Sequence, residues 1–196
     1  MKKLLILLAV FFCLSFNIIH KNAEKNFVAP SAGIFLFIPS FGSYLGTTGA
    51  GVITNHLDEV SIDVISENQS VTLGTSGGTI VVSAAQIEEY VFAKNFDKSS
   101  LRLKKMLYSG QNIPNLEFRI YDGVAINPVY KIAYTNAYII KIVNNIQPCG
   151  SANCTGITEE ISVKAAGIIT WTNAITGPPQ TITYNVLTRI VNTSGL

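Results

Sequence analysis

YVFAKNFDKSSLRLKKMLYSG, residues 90–110, is the stretch on which the fold turns. Its first half alternates: Tyr90, Phe92 and Lys94 point one way and Val91 and Ala93 the other, which is the period of a β-strand. Its second half changes period. Leu103, Met106 and Leu107 stand at i, i+3 and i+4, so a helix there carries one apolar stripe. Asp97 and Ser99 are both suited to cap its first amides, and Gly110 suits the left-handed residue that ends a helix. The stretch therefore predicts a strand, a tight turn and one short helix over about residues 99–109.

On both sides of this stretch the chain keeps to period two. Ile34, Leu36 and Ile38 alternate with Phe35 and Phe37, the pattern of a strand buried on nearly both faces. Val60, Ile62 and Val64 oppose Glu59, Ser61 and Asp63 in a half-buried strand. Residues 66–78 are polar and end in the turn signal Gly77-Gly78, and Thr79 to Ser83 is a β-branched run. Leu116, Phe118 and Ile120 alternate with Glu117, Arg119 and Tyr121. Over residues 129–143 a long strand sets Tyr130, Ile132, Tyr134, Tyr138 and Ile140 on one face, with Lys131, Ala133, Thr135, Ala137 and Lys141 on the other. Ile161 and Val163 lead to Ile168, Ile169 and Trp171. Gly177-Pro178-Pro179 marks a turn before the last strand, Ile182 to Ile190. The expected fold is mainly β: a two-sheet β-barrel or sandwich of about eight strands with one short α-helix.

Length and composition agree with a single domain. The chain has 196 residues, 48% apolar and 13% charged, with a formal net charge of +2. The basic excess that marks nucleic-acid binding is absent. At the start, Lys2 and Lys3 precede the unbroken apolar run Leu4 to Leu14, which has the order and size of a signal peptide and is short for a membrane span. Residues 1–15 are thus read as a signal peptide cleaved after Ser15, residues 16–31 as a flexible leader, and residues 32–193 as the folded domain. A secreted or periplasmic location follows, with no stable membrane insertion after cleavage. Only Cys149 and Cys154 then remain in the mature chain. They lie in a short loop, and an oxidising compartment favours a disulfide between them. Two thiols without a nearby histidine fall short of a structural zinc site.

Several of these blocks, in this order, resemble the haemolysin-coregulated protein (Hcp) family, the inner-tube proteins of bacterial type VI secretion. The likeness rests on residues 34–39 followed by Gly42-Ser43, on residues 56–65, on Phe92 to Leu101 with the helix and Gly110, and on Glu159 to Val163 running into Gly167 to Trp171. It spans about residues 32–190. The resemblance implies hexameric rings that stack head to tail into a hollow tube, with secretion-system components and cargo as further partners. It also implies an extended loop after the first strand that bridges neighbouring subunits. Here that role falls to residues 42–56, which carry Gly42, Gly46, Gly49 and Gly51. The signal peptide and the cysteine loop depart from the family pattern.

No catalytic constellation is legible. His20 lies in the leader and His56 stands alone at a strand start, without the partner a general base needs. Glu88-Glu89 and Glu159-Glu160 are adjacent on strands, so the members of each pair face opposite ways; one of each is expected in solvent and one at the barrel rim. Lys98, Arg102, Lys104 and Lys105 read as a solvated helix face. Tyr130, Tyr134 and Tyr138 read as cross-strand packing, and Trp171 as core. The glycines after residue 40 lack the Gly-Lys-Ser/Thr of a phosphate loop. The reading is a non-enzymatic, self-assembling protein without a cofactor. An exported barrel that binds a surface partner or glycan is the alternative.

Overall fold

The computed structural model of the chain describes residues 32–41, 59–76, 78–83, 85–123, 127–146 and 156–195. Twelve strands and one helix form within them. The first strand, β1 (Gly33–Phe37), sits between β2 (Glu59–Ile62) and β7 (Ile113–Tyr121). Leu36 faces Val60 on one side and Phe118 on the other. These apolar pairs bury one surface of the sheet, and all three residues are fully enclosed.

The spine is β8 (Tyr130–Ile146). One edge pairs with β7. The other edge pairs first with β10 (Ile168–Asn173) and then with β9 (Ile157–Ala165), so β9 and β10 run in succession along β8. Beyond β10 lie β11 (Gln180–Asn185) and β12 (Val191–Ser194), completing the order β12-β11-β10-β8-β7-β1-β2. Beyond β9 lie β6 (Gln86–Asn95) and β3 (Val64–Ser70). All pairings are antiparallel, and the two layers form a sandwich rather than a closed barrel.

A bend in β8 makes this possible. Ile132 and Tyr134 point into the core, but the next inward residues are Ala137 and Ile139, not Asn136 and Tyr138. Asn136 adopts a left-handed backbone (φ 54°); the irregularity exchanges the two faces. This corrects the expectation of one uninterrupted face through Tyr138 and Ile140: Tyr138 is half-buried and Ile140 exposed. Opposite the bend, Ala166 N–H donates to the Asn136 carbonyl (2.8 Å) and Ile168 N–H to Thr135 Oγ1 (2.8 Å). Gly167 packs so closely there that a Cβ would stand 2.5 Å from the Thr135 carbonyl oxygen. The chain also turns at Asp63, between β2 and β3, so Val60 and Ile62 are buried while Val64 is exposed.

The core fills the space between the layers. Rings stitch it together: Phe92 of β6 meets Phe118 of β7 (5.4 Å between centroids), and Tyr90 of β6 meets Tyr134 of β8 (4.8 Å), both edge to face. Such geometry adds about 0.5–1.5 kcal/mol beyond burial. The helix α1 (Lys98–Ser109) packs Leu103 and Met106 into the same cluster. Asp97 is its N-cap: the carboxylate accepts from Ser99 N–H (2.8 Å) and Ser100 Oγ accepts from Asp97 N–H (3.0 Å). Gly110 closes it with φ 58°.

The polar stretch 66–78 differs from expectation. It holds the outer half of β3 and the strand β4 (Leu73–Ser76), which pairs with β5 (Thr79–Val82) as a separate hairpin turning at Gly78. All four residues of β4 are exposed, Leu73 among them, so this strand lacks the buried face that produces an alternating signature.

Candidate functional site

The sandwich positions three groups of polar side chains. The first ties α1 to the sheets. Lys94 follows Tyr90 and Phe92 on the inward face of β6, and its whole side chain is buried. Its ammonium donates to Asn95 O (2.8 Å) and Ser100 Oγ (3.0 Å) and lies 2.9 Å from Asp97 and 3.2 Å from Glu159. Ser100 also hydrogen-bonds Glu159. From the helix, Lys104 reaches Glu159 Oε1 at 3.1 Å while its ammonium stands 4.8 Å from the Phe96 ring centre. Two lysines thus balance two carboxylates, as a buried charge requires. The arrangement holds a helix in place; no member is left free to act as a base or nucleophile.

This corrects two expectations. Glu159 is not at a rim but enclosed, whereas Glu160 is in solvent as expected. The helix cations divide: Lys98 and Lys105 face solvent, while Lys104 is recruited by Glu159 and Arg102 turns to the end of β1. The parity of Lys94 with Tyr90 and Phe92 was the available signal for its burial.

The second group stands at the two roots of segment 42–58. After β1 the chain makes one short turn, and Phe41 inserts into the core. Arg102 Nη1 donates to the Phe41 carbonyl (2.8 Å) and its guanidinium lies 5.7 Å from the Phe41 ring centre. At the returning root, Glu59 is buried and accepts from Arg119 Nη1 (2.9 Å) and Tyr121 Oη (3.1 Å). Burial and the charge of Glu59 push the Tyr121 hydroxyl up to about 12. Burial disfavours the Arg119 charge, but Glu117 (2.7 Å) and Glu59 hold its pKa above the ordinary value. Arg119 also lies 3.7 Å over the Phe37 ring. Because Phe37 and Glu59 are register partners, the segment leaves and returns at the same place on the sheet.

The third group lines an open cleft of about 390 Å³ between β3 and the β8–β10–β11 edge, with Glu67, Tyr130 and Trp171 on its walls. Glu67 Oε2 accepts from Trp171 Nε1 (3.3 Å) and Gln69 Nε2 (3.0 Å). The residue as a whole is solvent-exposed, yet crowding around the carboxylate raises its pKa, against the lowering by these two bonds. Trp171 therefore does double duty: it packs on the core and offers its edge to the cleft. Tyr134 is core, as expected, and Tyr130 borders the cleft.

Cys149, Cys154, Gly42, Gly46, Gly49, Gly51, His20 and His56 lie outside the described residues. Among the described residues no three metal-ligating side chains gather, and no helix is long and apolar enough to cross a membrane.

The family model described as "Type VI secretion system effector, Hcp" matches residues 43–172. The chain belongs to the Hcp family. The helix anchor from Lys94 to Glu159 and the cleft residues Glu67 and Trp171 fall inside that Hcp span; β11 and β12 lie beyond it. No curated protein sequence matches the chain. Among solved structures, one described as a type six secretion system protein aligns with a TM-score of 0.67 at 14% identity, over 83% of this chain and 100% of that one. Hcp1 from Salmonella typhimurium aligns at 0.64 with 15% identity, over 83% and 99%. A type VI secretion system effector from Yersinia pestis gives 0.54 at 22% identity, over 78% and 99%. At such identities the likeness is one of fold.

Proposed function

We propose that this Hcp-family chain is a structural protein that closes into a homohexameric ring, and that its rings stack head to tail into a tube whose lumen carries effector cargo. Heterologous contacts between identical subunits generate closed rings when the rotation closes and filaments when it does not. The observation that carries the reading is the pair of fixed roots around residues 42–58. Arg102 holds the outgoing root at Phe41, and Arg119 with Tyr121 holds the returning one at Glu59. A segment of that length, rich in glycine and rooted at one place on the sheet, is suited to serve as an arm that lies on a neighbouring subunit. The function needs no cofactor and no catalytic group.

The chain is exported in this reading, with residues 1–15 removed as a signal peptide and Cys149 joined to Cys154. Alkylation without reductant then leaves both thiols unmodified, and full labelling counts against the disulfide. The arm is tested by replacing residues 43–55 with a short glycine–serine linker. The variant is expected to keep its β circular dichroism and to run as a monomer. Rings that persist in the variant contradict the role of the arm.

A further inference from the structure

The cleft beside Trp171 lies at one end of the sandwich, and a single row of register partners crosses the larger sheet there. In order across β2, β1, β7, β8, β10 and β11 the row is Ile62, Ile34, Ile120, Tyr130, Asn173 and Gln180. Leu36, Phe118 and Ile132 are enclosed, and the next residues on the same faces of their strands are Ile34, Ile120 and Tyr130. The row is therefore the inner rim of that end. Tyr130, Asn173 and Gln180 line the cleft from the rim, with Glu67 and Gln69 of β3 also in its lining. Ile182, two residues inward from Gln180, lines it as well and is 40% exposed. An apolar side chain left open to water in this way gains from any apolar group that covers it.

The chain enters the fold at this same rim. β1 begins at Gly33, which precedes Ile34 of the row and pairs with Tyr121, the last residue of β7. From there β1 runs away from the rim, so residues 16–31 join the fold at the end that carries the cleft. Tyr130 is two strand spacings from Ile34, about 10 Å, and Gln180 is four, about 19 Å. Phe27 precedes Gly33 by six residues, and an extended chain of that length spans up to about 20 Å. Pro30 holds Ala29 to extended backbone. The pair Phe27-Val28 is apolar and follows Lys25 closely, while Glu67 is the one charged residue of the cleft lining. We propose that residues 25–29 of the leader dock in the cleft of their own chain, with Phe27 and Val28 covering Ile182 and Lys25 lying toward Glu67. The leader then closes this end of the sandwich, whether or not the chain forms rings.

The test places the photoreactive residue p-benzoylphenylalanine at position 27 of the full-length protein and maps the products of irradiation by mass spectrometry. Cross-links within one chain to residues 67–69, 171–173 or 180–182 are the expected result. Cross-links that join two chains overturn docking of the leader on its own chain. Cross-links elsewhere on the fold, or none, overturn the cleft as its place. Trp171 is the single tryptophan of the chain and borders the cleft, so acrylamide quenching of its fluorescence gives a second reading. Phe27→Ser removes a ring whose burial shifts a docking equilibrium about tenfold or more, and Trp171 should become more accessible to the quencher. Quenching equal to wild type overturns the proposal. Position 27 precedes β1, so both experiments leave the core of the sandwich unaltered.

Discussion

Lys94 Nζ lies 3.2 Å from Glu159 Oε2, and both side chains are wholly buried. The pair joins β6 to β9 from inside, and Ser100 and Lys104 extend it to the helix. Burying such charges is costly, so the pair itself adds little net stability. Removing one partner leaves the other uncompensated, at about 3–5 kcal/mol. Lys94→Met and Glu159→Gln should each destabilise by about that much in urea unfolding. The double variant Lys94→Met/Glu159→Gln should be distinctly less destabilised than the sum of the singles. Additive losses contradict the coupling.

The bend at Asn136 makes a second prediction. Gly167→Ala forces a Cβ against the Thr135 carbonyl, which lies 2.5 Å from its position, and backbone must move. Asn136→Val places a β-branched residue at φ 54°, where left-handed backbone costs about 1–2 kcal/mol for ordinary residues. Asn136→Gly should be tolerated. Calorimetry is expected to rank the three with Asn136→Gly the most stable. A neutral Gly167→Ala contradicts the close approach.

Arg102→Ala separates folding from assembly. It removes the bond to the Phe41 carbonyl and the cation over the Phe41 ring, worth about 1–3 kcal/mol together. The fold should survive, with a moderately lower midpoint in urea. Ring formation should shift to higher protein concentration, because the outgoing root of segment 42–58 is loosened. A variant that loses stability but assembles as wild type counts against the root as part of the assembly apparatus.

Much of this was legible in the sequence. The mainly β class, the helix with its caps and the strand carrying Phe118 follow from period and capping chemistry, which act locally. The face exchange in β8 was not legible, because asparagine tolerates left-handed backbone without requiring it. The strand β4 was not legible because all four of its residues are exposed, which leaves no alternation to read. The burial of Glu159 depends on Lys94 and Lys104, which reach it from another strand and from the helix. Glu67 and Trp171 meet across the cleft only through the order of strands, which periodicity leaves open.

Glu67 predicts a pH effect with a definite sign. Its pKa in the fold is raised above the ordinary 4.5. The fold therefore favours the protonated carboxyl, and that contribution is present below about 4.5 and lost as pH rises through the raised folded pKa. Glu67→Gln removes the charge, so at pH 7 it should match or exceed the wild-type Tm, and near pH 3.5 it should show no advantage. A variant clearly less stable than wild type at pH 7 contradicts the assignment.

Assembly of this Hcp-family chain into rings is the property on which the proposed function stands. It is tested most directly by light scattering on the size-excluded full-length protein, with negative-stain images of the same peak. A mass of six chains with ring-shaped particles is the predicted result. A clean monomer across the micromolar range, with no rings on the grid, contradicts it.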